Sequence, residues 1–237
     1  MSLEPQVSTL LLRNVPLLST LSEPQLLLLT RVVRRQAVAR GVTVVASGDV
    51  ATCLYVLLSG QAQVVLRAAR KGEVILAILR PGDYFGEMAL LDDRPRSASV
   101  VTREPCELLT LDKTDFARCL RENGGLAMAV ARGLVARLRD ADNRIANLAL
   151  LDVYGRVAKL LMQIADDVSG APTITTRLSK NDIAKMVGAS RESVSRVIND
   201  LQKRGYLELN RNSIVLRSRS ALLDYEPVIP RSALRRG

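Results

Sequence analysis

The run from Phe85 to Val100, called the cassette below, combines residue types that suit the binding of a phosphate ester. Arg96 offers planar, bidentate donors that can balance the charge of a buried phosphodiester, and Ser97 can add a hydroxyl. Backbone amides at Gly86 and in the short helix that follows, which includes Met88, can donate to the anion. Only glycine allows so close an approach of the backbone. The cassette is therefore predicted to bind an anion.

A second group of residues, near the C-terminus, could place charged side chains in the major groove of DNA. Ser179 to Asp182 have the spacing of a capping box, which predicts a helix from Asn181 to Val187. Gly188 breaks that helix, and Ser190 can cap a second helix from Arg191 to Arg204. Two helices joined by so short a turn are typical of a helix-turn-helix, whose second helix contacts base edges.

The outward face of the second helix carries polar and charged side chains. Arginine can bond a guanine edge through two hydrogen bonds, and glutamate can accept from a cytosine amino group. A hydroxyl at a helix N-terminus can help to hold a phosphate. The predicted DNA-binding residues are Ser179, Ser190, Arg191, Glu192, Ser195, Arg196 and Asn199. Residues 206–216 predict a hairpin that would form the wing of a winged helix; an ordinary three-helix bundle with a hairpin is the alternative.

The charge of the chain favours a polyanionic partner. The 237 residues include 34 Lys and Arg against 24 Asp and Glu, which gives a net charge of +10. Residues 155–237 hold 15 of these bases and 8 of the acids, so most of the excess lies in the C-terminal third. Double-stranded DNA is the partner that this excess favours, and a basic solubilising surface is the alternative.

The chain contains no histidine, which excludes several kinds of site. There can be no Ser-His-Asp triad, no HExxH zinc site and no His-ligated haem. Cys53, Cys106 and Cys119 are too scattered for a metal or iron–sulfur motif. We therefore expect neither an enzyme nor a metal cofactor. Dispersed cysteines without a signal sequence predict a cytoplasmic protein, and the apolar runs are too short to span a membrane.

The elements that must position these residues form an α+β fold. Residues 1–40 predict short helices, with Ser22 as an N-cap. Short β-rich runs then alternate with glycines, which is typical of an antiparallel sandwich, barrel or roll. The predicted strands are 42–45, 53–58, 62–66, 74–79, 98–101 and 106–111. Residues 113–151 are predicted to be helical, and a further helix is predicted from Val153 to Val168.

A seven-residue repeat runs along the long helix predicted for residues 126–151. Its apolar positions alternate spacings of four and three, and they are Ala127, Ala131, Leu134, Leu138, Ala141, Ile145 and Leu148. This pattern favours a parallel homodimer, although the helix could instead pack on its own roll. We thus predict a roll domain over residues 1–125, a dimerisation helix over 126–151 and a DNA-binding domain with a C-terminal tail over 152–237.

The two motifs together resemble one known family. The cassette is similar to the phosphate-binding cassette of cyclic-nucleotide-binding domains, and the glycine–strand pattern from Gly48 to Gly60 resembles the same domain. The run from Gly188 to Arg196, with residues 151–156 as a hinge, resembles the catabolite-activator and fumarate–nitrate regulator family of bacterial transcription factors. The resemblance covers roughly residues 15–217. It implies a cyclic-nucleotide-binding β-roll, a long dimerisation helix and a C-terminal winged helix-turn-helix.

The resemblance also implies roles for the cassette residues. Gly86, Glu87, Met88, Arg96 and Ser97 would bind the nucleotide, with Glu87 on the ribose 2′-hydroxyl and Arg96 on the phosphate. The alternative is that Glu87 and Arg96 only pair with each other in an unliganded roll. Haem and iron–sulfur variants of the family are disfavoured, because histidine and a cysteine cluster are both missing.

One departure from the family concerns the nucleotide base. The family contacts the base through two adjacent hydroxyl residues on the long helix, and these positions fall at Ala141 and Asp142. Neither side chain has a hydroxyl, which puts the recognition of adenine in doubt. Asp142 could accept hydrogen bonds from the N1–H and 2-amino groups of guanine, or it could simply face solvent. Cyclic AMP is the ligand that the family implies, with cyclic GMP or cyclic di-GMP as alternatives.

We therefore expect a homodimeric regulator that binds a palindromic, TGTGA-like site and responds to a cyclic nucleotide. The resemblance assigns base reading to Arg191, Glu192 and Arg196 and implies RNA polymerase as a further partner. The alternatives are a regulator that needs no ligand and a signalling module whose output is a protein partner.

Overall fold

The roll contains two four-stranded antiparallel sheets, in the order β1-β8-β3-β6 and β2-β7-β4-β5. The computed structural model describes residues 7–68, 72–168, 171–210 and 213–217. The strands of the roll are β1 (Arg34–Val38), β2 (Thr43–Val45), β3 (Cys53–Ser59), β4 (Ala62–Ala68), β5 (Gly72–Leu79), β6 (Tyr84–Phe85), β7 (Ser99–Thr102) and β8 (Cys106–Asp112). Buried side chains from both sheets, among them Leu57, Phe85 and Leu108, form one core.

Each of the six predicted strands is present, but the roll has two more. Strand β1 lies in the region that we expected to form only short helices, and that expectation was wrong for Arg34–Val38. The strand pairs along its whole length with β8, from Arg34 opposite Thr110 to Val38 opposite Cys106. Most of its side chains are at least partly exposed, so the sequence has no alternating apolar pattern that would predict a strand here. Backbone pairing with a distant strand, not local propensity, determines this element.

Helices cover one side of the roll. The first are α1 (Thr9–Arg13), a short 3₁₀ helix (Pro16–Leu18) and α2 (Glu23–Leu29), where Ser22 forms the predicted N-cap in a capping box with Gln25. A one-turn helix, α3 (Met88–Leu91), lies inside the cassette, and α4 (Lys113–Glu122) precedes the long helix α5 (Gly124–Leu150). Leu126 and Val130 of α5 are buried in the core that α1, α2 and α4 share.

The C-terminal part combines three helices with a small antiparallel sheet. Its elements are α6 (Val153–Ile164), β9 (Asp166–Val168), β10 (Ala171–Ile174), α7 (Lys180–Val187), α8 (Arg191–Lys203), β11 (Leu207–Leu209) and β12 (Ile214–Leu216). The strand order is β11-β12-β10-β9. The prediction of a helix as far as Val168 was wrong, because Ala165 has an extended backbone and the next three residues pair with β10.

The chain divides into two compact units, residues 1–139 and 140–237. The division falls within α5, whereas the boundaries predicted from sequence, after residues 125 and 151, lie at the ends of this helix. Those boundaries stay predictions. Each unit has its own apolar core; in the second, the core joins α6, α7, α8 and the small sheet through residues such as Val157, Ile183 and Ile198.

Candidate functional site

Arg96 is buried in the cassette, with 6% of its surface exposed. Its Nη1 donates to the carbonyl of Gly86 at 2.5 Å and its Nη2 to the carbonyl of Cys53 at 2.7 Å. Arginine carries five N–H donors and remains charged at any ordinary pH, so the others stay available to an anion. The two carbonyls thus hold the guanidinium in place before any ligand arrives.

Gly86 has to be glycine for two reasons. Its φ of +88° lies in the region that side chains disfavour. An ideal Cβ at this position would also lie only 2.4 Å from Nη1 of Arg96. Any larger residue would therefore push away the arginine that the cassette is predicted to use.

Glu87 is almost completely buried, with 1% exposure. Its Oε1 accepts a 2.5 Å hydrogen bond from Nη1 of Arg137 on α5. The alternative ion pair between Glu87 and Arg96 is absent among the described residues, because each side chain bonds to other groups. The second carboxylate oxygen, Oε2, is buried and has no hydrogen-bond partner within the described part of the chain. This oxygen is one that a ligand hydroxyl can satisfy, since an unpaired buried polar atom is costly.

The other predicted nucleotide-binding residues are exposed. Met88, the first residue of α3, has 48% exposure, and Ser97 directly follows Arg96 at the surface. Asp142 is exposed on α5 and belongs to the second compact unit. The first unit therefore brings together Gly86, Glu87 and Arg96, whereas the role of Asp142 stays a prediction.

Two residues of this site were missed by the sequence reasoning. Arg137 was noted only as a charge outside the apolar repeat, yet it is the partner of Glu87. Tyr84 accepts a hydrogen bond from Nη2 of Arg137 through its carbonyl, and the guanidinium carbon lies 4.8 Å from the centroid of its ring. Burial raises the pKa of the Tyr84 phenol, while the nearby Arg137 charge acts in the opposite direction. No local sequence signal identifies Arg137 as this partner, because 50 residues separate it from Glu87.

The helix-turn-helix forms at the positions that the capping pattern predicts. Ser179 accepts from the backbone of Asp182, whose carboxylate accepts in turn from the backbone of Ser179. Helix α7 ends at Gly188, which has a left-handed backbone with φ of +66°. Ser190 then caps α8 by accepting from the backbone N–H of Ser193 at 3.1 Å. Both predicted N-caps are therefore confirmed.

The outward face of α8 presents free charges. Arg191, Glu192 and Arg196 are exposed, and none of them makes a hydrogen bond or ion pair with another described residue. Asn199 is also exposed, but its Oδ1 accepts from Nζ of Lys180 at 2.9 Å, and Ser195 is half-buried. The opposite face is apolar and buried, with Val194, Ile198 and Leu201 in the core.

The strands of the predicted wing are β11 and β12, which pair antiparallel. Arg211 and Asn212, which belong to the hairpin predicted over residues 206–216, lie outside the described residues, as do Arg231, Arg235 and Arg236 of the C-terminal tail. Within the described ranges, no helix is both long and apolar enough to cross a membrane.

Comparisons with known families agree with both halves of this architecture. Residues 35–123 match the family described as "Cyclic nucleotide-binding domain". Residues 155–225 match the family described as "Crp-like helix-turn-helix domain". The two matches contain the cassette and both helices of the helix-turn-helix, in the order in which the sequence analysis placed them.

Individual proteins resemble most of the chain. The "CRP-like cAMP-activated global transcriptional regulator" of Mycobacterium tuberculosis is 34% identical over 181 residues, which are 75% of this chain and 81% of that protein. The "Cyclic AMP receptor protein" of Thermus thermophilus is 32% identical over 213 residues, or 90% and 97% of the two chains. The solved structure of CLP, a c-di-GMP-responsive global regulator of Xanthomonas campestris, has a TM-score of 0.67 at 26% identity, covering 78% of this chain and 94% of its own.

The Mycobacterium tuberculosis relative is named a transcriptional regulator and CLP a global regulator. This chain is accordingly a regulator and not an enzyme, as predicted from its sequence. A cyclic-nucleotide-binding roll followed by a helix-turn-helix, together with identities above 30% along most of the chain, leads to one conclusion. The chain belongs to the CRP/FNR family of DNA-binding transcriptional regulators.

Proposed function

We propose that this regulator is gated by a cyclic nucleotide held in the cassette. One observation carries the proposal: Glu87 and Arg96 are buried, Oε2 of Glu87 has no partner among the described residues, and the side chain of Arg96 uses two of its five donors on carbonyls of the roll. A buried charge is costly unless it is paired and hydrogen-bonded. The phosphate would accept hydrogen bonds from the remaining donors of Arg96 and from the hydroxyl of Ser97, and it would lie close to the backbone at Gly86. The ribose 2′-hydroxyl would donate to Oε2 of Glu87.

We propose cyclic AMP as the ligand, because one relative is named as cAMP-activated and another as a cyclic AMP receptor protein. A second candidate is cyclic di-GMP. Asp142, beside Ala141 on α5, offers a carboxylate where the family resemblance expects a hydroxyl, and CLP is named as responsive to c-di-GMP. A carboxylate accepts hydrogen bonds only, which suits guanine, with its adjacent N1–H and 2-amino donors, better than adenine, where the 6-amino donor lies beside the acceptor N1. Cyclic GMP offers the same donors.

Titration calorimetry with cyclic AMP, cyclic GMP and cyclic di-GMP tests the proposal and ranks the ligands. We expect tight binding of cyclic AMP and its loss in Arg96→Ala. Equal affinities for cyclic AMP and for cyclic di-GMP or cyclic GMP would remove the role of Asp142. If none binds to the wild-type protein, the regulator is independent of these ligands.

We further propose that the regulator is a homodimer joined along α5. A series of exposed apolar residues on α5 recurs at alternating spacings of seven and three positions, and at least half of the surface of each residue is accessible. They are Met128, Val135, Leu138, Ile145 and Leu148. Such a repeat suits a partner helix. Leu126 and Val130 pack on the roll, and so does Leu134, which the sequence had placed in the dimer repeat.

The dimer can be tested with a pair of matched substitutions on α5. Leu138→Asp should give a folded monomer in sedimentation experiments, because Leu138 is 61% exposed within one chain. Ala136→Asp introduces the same charge at an exposed position outside the repeat, and it should stay dimeric. A dimeric Leu138→Asp protein would contradict the interface.

A two-fold dimer would bind a palindrome whose half-sites lie about one helical turn, ~34 Å, apart. We propose a TGTGA-like half-site read by Arg191, Glu192 and Arg196, which are exposed and free of partners among the described residues. Selection from random duplexes with the full-length protein should return such a palindrome. Asymmetric sites would contradict the palindrome, and no enrichment at all would favour a protein partner as the output. We also propose that the regulator contacts RNA polymerase and that it acts in the cytoplasm, where DNA is available.

A further inference from the structure

Tyr84 packs its hydroxyl against α5 at a point where only glycine fits. An ideal Cβ at Gly133 would lie 1.9 Å from the hydroxyl oxygen of Tyr84 and 3.1 Å from its Cζ. Glycine in a helix interior is unfavourable relative to alanine, and Gly133 lies well inside a helix of 27 residues. The hydroxyl is buried and has no hydrogen-bond partner among the described residues. The close contact of α5 with this ring is thus a physical reason for a glycine here.

Tyr84 also holds Arg137, one helical turn after Gly133. The guanidinium carbon of Arg137 lies 4.8 Å from the ring centroid, and its Nη2 donates to the Tyr84 carbonyl at 2.5 Å. One residue of β6 therefore contacts two successive turns of α5 through its hydroxyl, its ring and its carbonyl. A shift of Tyr84 would move Arg137 as well.

Arg137 in turn orients Glu87. Its Nη1 bonds Oε1 of this carboxylate at 2.5 Å, while Oε2 has no partner within the described residues. The pairing leaves one defined oxygen free for the ribose. If Arg137 moved, the buried carboxylate would lose its described partner, and the orientation of the free oxygen would no longer be determined.

We propose that Tyr84 and Gly133 are positioning residues for ribose recognition. Their contact holds α5 against the cassette so that Arg137 presents Oε2 of Glu87 to the 2′-hydroxyl of the nucleotide. They thereby set the preference of the site for a ribose over a 2′-deoxyribose ring. This inference rests on the proposed function, because it requires a cyclic nucleotide in the cassette.

The substitution Gly133→Ala tests the inference through a ratio of two affinities. Calorimetry gives the dissociation constants of cyclic AMP and of 2′-deoxy cyclic AMP for each variant. We expect the wild-type protein to prefer the ribose by about tenfold or more, as for one hydrogen bond to a buried charge. In Gly133→Ala this preference should fall towards one. The matched control is Gly124→Ala on the same helix, where nothing lies within 4 Å of an added Cβ, and the ratio should not change.

A rescue separates positioning from general damage to the fold. Adding Tyr84→Phe to Gly133→Ala removes the oxygen that the new methyl group would meet at 1.9 Å and leaves Cζ at 3.1 Å. A shift of a few tenths of an ångström then suffices, so most of the ribose preference should return. If Tyr84 and Gly133 had a merely structural role, the substitutions would weaken the binding of both nucleotides equally and leave the ratio of the two affinities unchanged.

The outcomes are distinct for the two proposals. If the wild-type protein binds neither nucleotide, the proposal of cyclic AMP as its ligand fails and this inference fails with it. If it binds and discriminates, but Gly133→Ala keeps the ratio or Tyr84→Phe fails to restore it, the inference alone is overturned. Should Gly133→Ala not fold, Tyr84→Ala removes the ring beneath Arg137 directly, and an unchanged ratio in that variant overturns the inference too.

Discussion

The cassette and the recognition helix α8 use the same side chains, arginine and glutamate, but they hold them in opposite ways. In the cassette, Arg96 and Glu87 are buried and already bonded to carbonyls of the roll and to Arg137. On α8, Arg191, Glu192 and Arg196 are exposed and have no partner among the described residues. Burial of a charge requires such partners, whereas a solvated charge requires none.

In the cassette, the fold and the proposed function therefore depend on the same side chains, whereas on α8 they depend on different ones. We expect the buried charges of the cassette to contribute to the stability of the roll as well as to the proposed binding of a nucleotide. The exposed charges of α8 can be exchanged at little cost to the fold, because the buried face of the helix, with Val194 and Ile198, holds it in place. Four substitutions or titrations test this contrast.

The largest effect is expected for Arg96→Ala. The change removes two buried hydrogen bonds to a charged group, so we expect a loss of about 2 kcal/mol in the free energy of unfolding together with the loss of nucleotide binding. Thermal denaturation and calorimetry measure the two effects. Arg94→Ala, at an exposed neighbouring position, should change neither. Lost binding at unchanged stability would show that the cassette does not couple fold to function.

Arg196→Ala should give the reverse pattern. We expect specific DNA binding to weaken by about 1–3 kcal/mol, with relaxed preference at one base pair and unchanged stability. Binding to variant duplexes and thermal denaturation of the same preparation test both parts. Lys203→Ala, an exposed position in the last turn of α8, should keep the base preference. A loss in Arg196→Ala that is uniform across all sequences would instead assign Arg196 to a phosphate.

The two regions also differ in how far the sequence predicts them. Helices α7 and α8 follow from local signals, since Ser179 meets Asp182 and Ser190 meets Ser193 across three residues. In the cassette, the residue types predict a bound anion, but the partner of Glu87 is 50 residues away on α5. Strand β1 is similar, because it forms by pairing with β8, about 70 residues later. Contacts of this kind depend on the folded roll, and no local pattern encodes them.

Ser190→Ala tests an exception to this contrast, because Ser190 lies at the exposed N-terminus of α8 but its side chain contributes to the fold of the DNA-binding unit. Its hydroxyl caps α8, so we expect the free energy of unfolding to fall by about 1 kcal/mol, the typical value of an N-cap. Chemical denaturation measures this. Gln202→Ala, an exposed polar side chain on the same helix, should have no such effect. If Ser190→Ala leaves stability unchanged, the capping hydrogen bond contributes nothing to the fold and the whole outer surface of α8 is free for DNA.

The smallest effect on stability at neutral pH is expected for a substitution of Tyr55. The ring of this residue stacks on that of Phe85 at a centroid distance of 5.0 Å. Burial raises the pKa of Tyr55 to about 12, with a further contribution from the Cys53 thiol, while the Arg96 charge lowers it. The folded state therefore binds the phenolic proton more tightly than the unfolded state, whose ordinary pKa is about 10. The resulting stability is complete below pH 10 and is lost as the pH rises through about 12.

Alkaline denaturation of the wild-type protein and of Tyr55→Phe measures this loss. The wild-type protein should lose stability more steeply than the variant between about pH 10 and 12, and the two should behave alike at pH 7. Because Arg96 lowers the pKa of Tyr55, the phenolate absorbance of Arg96→Ala should rise at a higher pH than that of the wild-type protein. An unshifted titration would mean that the Arg96 charge does not act on Tyr55, and would weaken the view that charge and fold are coupled throughout the cassette.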